Sequence, residues 1–484
     1  MSLIERQYQR HETIILGAGI SGLTCGLYLQ ERMSDFLILE QDQRVGGKIF
    51  SIREDDLLLE NGPNALLIKR SSKVVKEVLA KLAISERLVY PPKEAKARFI
   101  CKKDQLIKVG PKILFSDMMD WRGRFKFALG GYSKRSLKHE AEESVFDFFS
   151  RKIGTRATEN LITPLISGIF AGNPHSLLIK TAFPKLYRGD RRSRVLLVGM
   201  LKERDANKKL AQTNQSTGTL DYKIKSGVCT LIGGLRDLPQ SLGEKLSKHI
   251  RCNQEVWKIY RTENGQEWIV ESKTHLFQCK NLVVTIPSYD LATILQQSLP
   301  AFTSKEGQFF QGLEEKLNGI RYPWLSLVHF TYKKQDIKSS GRGFGFLNTH
   351  ENRDRFTLGA MFPTYMFPGR VRKQEELFTT FVGGDLYPER AELAPEKIME
   401  SAHQEIKKIL NIDASAPARS FIYTWPKSIP QYDIYHYDFK KWCEEHSNSF
   451  SSMRWHWCSN YWNGISITDC MENAKNVAMS ISKE

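Results

Sequence analysis

No CxxC pair and no metal-ligand spacing occurs among the eight cysteines, Cys25, Cys101, Cys229, Cys252, Cys279, Cys443, Cys458 and Cys470, so no zinc module and no metal site is expected. Their scatter suits reduced thiols in a cytoplasmic compartment. Long apolar runs are also missing. The chain opens MSLIERQYQRHE, and glycines break its first apolar stretch well short of the roughly 20 residues a membrane-spanning helix needs, so neither a secretory signal nor a transmembrane helix is expected. Acidic residues are in deficit, 54 against 71 Lys and Arg, a formal charge of +17 that favours anionic partners. The excess is concentrated between Pro91 and Glu140, where thirteen basic residues face five acidic ones. No recognition helix, RNA-binding signature or basic tail accompanies it, so nucleic acid is not the expected partner. Low complexity is absent too: with 41% hydrophobic and 26% charged residues, the 484-residue chain has ordinary globular composition and enough length for two or three domains.

What is present begins at residue 13. The β-branched run TIIL, a buried parallel strand by composition, enters GAGISGL and then an apolar helical pattern. In this strand–turn–helix context Gly17 serves the tight turn, Gly19 lets backbone approach a pyrophosphate, and Gly22 lets helix pack on strand. The phosphates then meet the positive helix N-terminus. A second strand, FLILE, ends at Glu40, where an acidic residue accepts hydrogen bonds from a ribose diol and disfavours a 2′-phosphate. The following QDQRVGGKIFS resembles the RxGG continuation of two-domain FAD proteins through Arg44, Gly46 and Gly47, with Lys48 where an Arg is frequent.

Further segments resemble the protoporphyrinogen oxidases, FAD-dependent enzymes that aromatise a porphyrinogen. They are ENGPNALL from Glu60, ARFI from Ala97, LITPLISGIFAGNPHSLLIKTAFPKL, GGLRDLPQSL from Gly233, VVTIPSYDLATIL from Val283, GFGFLN from Gly343, IPQY from Ile429 and the closing NYWNGISITDC. One departure stands out: Cys458 and Ser459 replace the small glycines usual before Asn460–Tyr461, and their side chains are expected to crowd the flavin. The resemblance implies an α/β protein with α+β parts. A discontinuous Rossmann-type FAD-binding domain (1–88, 225–298 and 450–484) is joined by a helical insert (89–205), a linker (206–224) and a mixed-sheet substrate domain (299–449).

It also implies the chemistry and its residues. FAD is held by Gly17, Gly19, Ile20, Ser21, Gly22, Glu40, Gln41, Arg44, Gly46, Gly47, Lys48, Gly62, Pro63, Asn64, Ile465 and Ile467. Six hydrogens leave a porphyrinogen in three two-electron steps, each a hydride to the flavin with a proton lost from a pyrrole nitrogen. Dioxygen is the expected acceptor, and no dedicated catalytic side chain is required. Arg98 is the expected partner of a substrate propionate. Phe344, Leu347 and Phe381 are expected to wall the macrocycle, and Gly172, with Gly168 and Ala171, to form a close-approach loop. Coproporphyrinogen III is the nearest rival substrate. Amine oxidases, carotenoid desaturases and a flavin-free binding module of the same fold are further alternatives. A homodimer is the expected assembly.

Two segments read directly from the residues. KVGPKILFSDMMDWRGRFKFA, from Lys108, mixes Trp, Phe and Met with cations, which suits either peripheral docking on the anionic inner face of a cell membrane or packing on the protein's own core. In ESVFDFFSRKIG, Ser144 is placed to cap a helix that buries Val145, Phe149 and Ile153.

Overall fold

The computed structural model describes residues 8–32, 35–133, 143–213, 224–339, 341–349 and 355–481, with the backbone alone for 207–213. Strand Tyr8–Leu16 lies between two parallel partners, Phe36–Leu39 and Leu276–Val284. Alternate residues of these strands feed two separate cores. Ile15, Ile38 and Val283 face helices Ile20–Gln30 and Ile467–Ile481, whereas Ile14, Leu37, Leu282 and Val284 face helices Ser288–Ser298 and Ser304–Asn318. Covering on both faces explains why the strand ends in a continuous apolar run, Ile14–Leu16, rather than an alternating one.

The first sheet runs Ile250–Arg251, Phe36–Leu39, Tyr8–Leu16, Leu276–Val284, Trp268–Ser272, Val256–Arg261, and Trp455–Trp457 adds in parallel to Leu276–Val284. Its strands therefore come from three distant stretches of sequence. The second sheet runs Arg419–Trp425, Leu325–Lys333, Glu375–Gly383, Gly359–Met361, Gly345–Asn348, Arg98–Lys102, Gln105–Lys108. The last two strands form a hairpin that pairs in parallel with Gly345–Asn348, so residues 98–108 belong to this sheet rather than to the helical insert.

The insert proper contains helices Trp121–Ala128, Val145–Ile153, Thr163–Phe170, Pro184–Arg192 and Leu196–Thr213. Arg151 ties it together, donating to Glu143 (2.5 Å) and Asp190 (2.6 Å), while Lys152 pairs with Asp190 at 2.5 Å. Ser144 caps its helix by accepting from the Asp147 N–H at 3.0 Å. The buried stripe is Val145, Phe148 and Lys152, not Val145, Phe149 and Ile153. Phe149 is half-buried but packs against the same core, Ile153 is half-buried, and Lys152 takes the buried position, its ammonium on Asp190.

Candidate functional site

A cavity of about 1980 Å³ lies where the two sheets and the insert meet. A single ligand ordinarily occupies about 300–1,000 Å³, so this space suits two ligands side by side. Its wall divides accordingly.

One part is built by the first sheet's strand–helix turn. Gly17, with φ of 98°, makes the sharp exit from the strand, and a Cβ there would sit 3.0 Å from Ile286 and Thr285. Gly22 lies beneath the wall, where a Cβ would come within 2.0 Å of the Gly17 carbonyl oxygen; it serves helix packing, not lining. Gly19 faces open space, with nothing within 4 Å of an added Cβ, and the helix it precedes has no side-chain cap. Its first N–H groups are thus free of an internal partner and available to a phosphate. Ile20, Ser21 and Gln41 line the same stretch, and Gln254 and Val256 extend it without any mark in their spacing.

Glu40 ends strand Phe36–Leu39 with its carboxylate fixed by two backbone donors, Ala18 N–H at 2.7 Å and Asp42 N–H at 3.0 Å. Burial raises its pKa, and those two donors oppose the rise. Each carboxylate oxygen keeps capacity for a ribose hydroxyl. Gly46 donates to the Ala18 carbonyl at 2.8 Å, which brings Gly46 and Gly47 against the turn. Arg44 donates to the Gly47 carbonyl at 3.0 Å and stacks over Phe50 at 4.4 Å. Gly62, Pro63, Asn64, Ile465 and Ile467 continue the wall toward the second sheet. An uncapped helix N-terminus, a bare glycine and a held carboxylate form a chain of donors and acceptors that fits a dinucleotide.

The other part is apolar and comes from the second sheet. Leu327 pairs with Phe381 on one neighbour and with Tyr423 on the other, so the three stand in one row across three strands; Leu325 and Trp425 form the next. Leu347, in strand Gly345–Asn348 of the same sheet, and Phe344 just before it line it as well, and a Cβ on Gly168 would press on Leu347 at 2.6 Å. Arg98 is exposed at the rim, its guanidinium 4.9 Å from the Phe344 ring centre. Gly172 does not reach the cavity. It packs behind the wall, where a Cβ would meet Gln431 at 2.6 Å and Leu177 at 2.9 Å, while Gly168 and Ala171 are the lining residues of that loop.

Lys48, Cys458 and Ser459 also differ from expectation. Lys48 lines the cavity with its stem, but its ammonium donates to the carbonyls of Lys427 (2.6 Å) and Ser428 (2.5 Å), and burial lowers its pKa to about 8. It ties the first sheet's loop to the substrate side. Cys458 and Ser459 do not crowd the cavity; both are buried, and Cys458 packs in the core beside helix Ile20–Gln30. Glu60 turns away as well. It accepts from Ser51, from Leu235 N–H (2.9 Å) and from Arg370 (2.8 Å), clamping three segments behind the Gly62–Asn64 loop.

The family model for flavin containing amine oxidoreductases matches residues 20–482, and the chain belongs to that family. It is an FAD-dependent oxidoreductase. Within this class it is 30% identical to protoporphyrinogen oxidase 2 of Arabidopsis thaliana, over 87% of this chain and 84% of that protein. It is 24% identical to the coproporphyrinogen III oxidase of Bacillus subtilis (strain 168), over 96% of this chain and 97% of that one. A crystal structure from Exiguobacterium sp. 255-15, whose chain carries a provisional protoporphyrinogen oxidase name, superposes with a TM-score of 0.75 at 19% identity, over 99% of this chain and 100% of that one.

Proposed function

We propose that the chain oxidises protoporphyrinogen IX to protoporphyrin IX in haem synthesis, with dioxygen as acceptor. The observation that carries this reading is the pairing, in one cavity, of a dinucleotide cradle with a flat apolar wall rimmed by a cation, Arg98. Bound FAD supplies the acceptor for hydride. The protein's own part is orientation: Phe344, Leu347, Leu327 and Phe381 offer faces to the pyrrole rings, and Arg98 offers a bidentate fork to a propionate. The apolar walls also keep water from the reacting carbons.

Coproporphyrinogen III is the second reading. It is supported by the similarity to the Bacillus subtilis enzyme and by Lys69, Lys180 and Lys185, which add cations to the cavity wall for a substrate with more carboxylates. A paired assay on the two porphyrinogens, read by porphyrin fluorescence, tests both. We expect higher kcat/KM for protoporphyrinogen; a reversed ratio replaces it as the substrate, and no fluorescence from either refutes the class.

Peripheral docking on the inner face of a membrane belongs to the same proposal. Phe115 is 83% exposed, Trp121 71% and Phe125 62%, with Arg122 and Arg124 between them. No helix among the described residues is long and apolar enough to cross a membrane.

A further inference from the structure

Beyond the residues that line the cavity, a buried imidazole grips the loop that does. Asn61, immediately before Gly62–Pro63–Asn64, is 2% exposed, and its side-chain oxygen accepts from Nε2 of His329 at 2.9 Å. His329 is itself 1% exposed, and its Nδ1 meets the hydroxyl of Thr379 at 3.0 Å. An amide oxygen only accepts, so Nε2 carries the ring proton and the Thr379 hydroxyl donates to Nδ1. Burial lowers the imidazole's pKa to about 3, which keeps this neutral tautomer in place at any working pH. The Asn61 carbonyl accepts from the indole N–H of Trp425 in addition.

The strands explain why these groups converge. His329 follows Leu327 by two residues and pairs with Thr379, just as Leu327 pairs with Phe381. The sheet face that walls the substrate part of the cavity therefore continues, one row further on, into the contact with Asn61. Three strands of the second sheet, through His329, Thr379 and Trp425, hold the start of a loop that belongs to the cofactor part.

We propose that His329 is a positioning residue for the flavin: through Asn61 it fixes the Gly62–Asn64 loop on the cavity wall and locks that loop to the strands carrying Leu327 and Phe381. The proposal concerns FAD binding, so it stands or falls independently of which substrate is oxidised. The test compares His329→Leu, which removes both hydrogen bonds, with His329→Gln, which keeps a donor toward Asn61. FAD lost from diluted holoenzyme is followed by free-flavin fluorescence and the visible flavin bands, well below the melting temperature. His329→Leu is expected to raise the FAD dissociation constant about tenfold, because it strands a buried acceptor, and to shift the flavin bands. His329→Gln is expected to stay within about twofold of wild type. If His329→Leu fails to fold, Thr379→Val, which removes only the donor to Nδ1, is expected to shift affinity in the same direction by about threefold. Wild-type FAD affinity and bands in His329→Leu, or in Thr379→Val where the former does not fold, overturn the proposal even if the melting temperature falls.

Discussion

Arg98 is the residue on which the proposed substrate recognition turns. It sits at the rim with Phe344 beneath its guanidinium, away from the glycine turn and Glu40, so its loss should separate two functions cleanly. In Arg98→Ala, KM for the porphyrinogen is expected to rise by about tenfold or more, the loss of a charge-assisted hydrogen bond, with FAD content unchanged. Steady-state kinetics equal to wild type would remove Arg98 from the site. At this scale the strand–turn–helix unit was the most legible in sequence, because Gly17, Gly19, Gly22 and Glu40 are set by local spacing, and Gly17, Gly19 and Glu40 come together on the cavity wall. Cys458 and Ser459 were not. Whether a side chain faces a cavity or a core depends on its rotation after strand Trp455–Trp457, and a substitution alone does not reveal that. Glu60 was visible as part of a motif but not in its role, since its partners Arg370 and Leu235 lie far along the chain.

At the scale of elements, the segment after Lys108 has two sides. Asp120 caps helix Trp121–Ala128 by accepting from the Gly123 N–H at 2.7 Å. Ile113, Met118 and Met119 turn inward, whereas Phe115, Trp121, Phe125 and Phe127 turn out. The core-packing reading holds for one side of the segment, and its other side presents an apolar, cationic face to which the proposed membrane docking is assigned. Trp121→Glu combined with Phe125→Glu is therefore expected to abolish co-sedimentation with anionic liposomes at low salt while leaving the flavin bands intact. Equal sedimentation of the double variant and wild type would contradict membrane docking through this helix. The Arg98–Lys108 hairpin shows the opposite limit. It follows a short strand, Leu88–Val89, and a tight turn, Glu94–Lys96, and its parallel pairing with Gly345–Asn348 spans more than two hundred residues, a partner no local pattern announces.

For the molecule as a whole, one sheet assembled from residues 8–39, 250–284 and 455–457 brings the start and end of the described chain to the same cradle. Helices Ile20–Gln30 and Ile467–Ile481 pack in one core, so cofactor binding depends on segments that a fragment would separate. Glu60–Arg370, Lys48 with the 427–428 carbonyls, and His329 with Asn61 each tie the stretch 48–61, which follows strand Phe36–Leu39, to residues in or beside the second sheet's strands. The two parts of the cavity are thereby held in register, which hydride transfer over a short distance demands. The central claim is that this cavity sets a porphyrinogen against bound flavin, and the most direct measurement is anaerobic addition of protoporphyrinogen to the purified yellow protein. The account predicts that the visible flavin bands bleach on the first two-electron step, and that on admitting air the bands return and porphyrin fluorescence appears, since six electrons exceed what one flavin accepts. A protein that stays colourless after incubation with excess FAD and removal of unbound flavin, or whose flavin bands do not respond to any porphyrinogen, would contradict it.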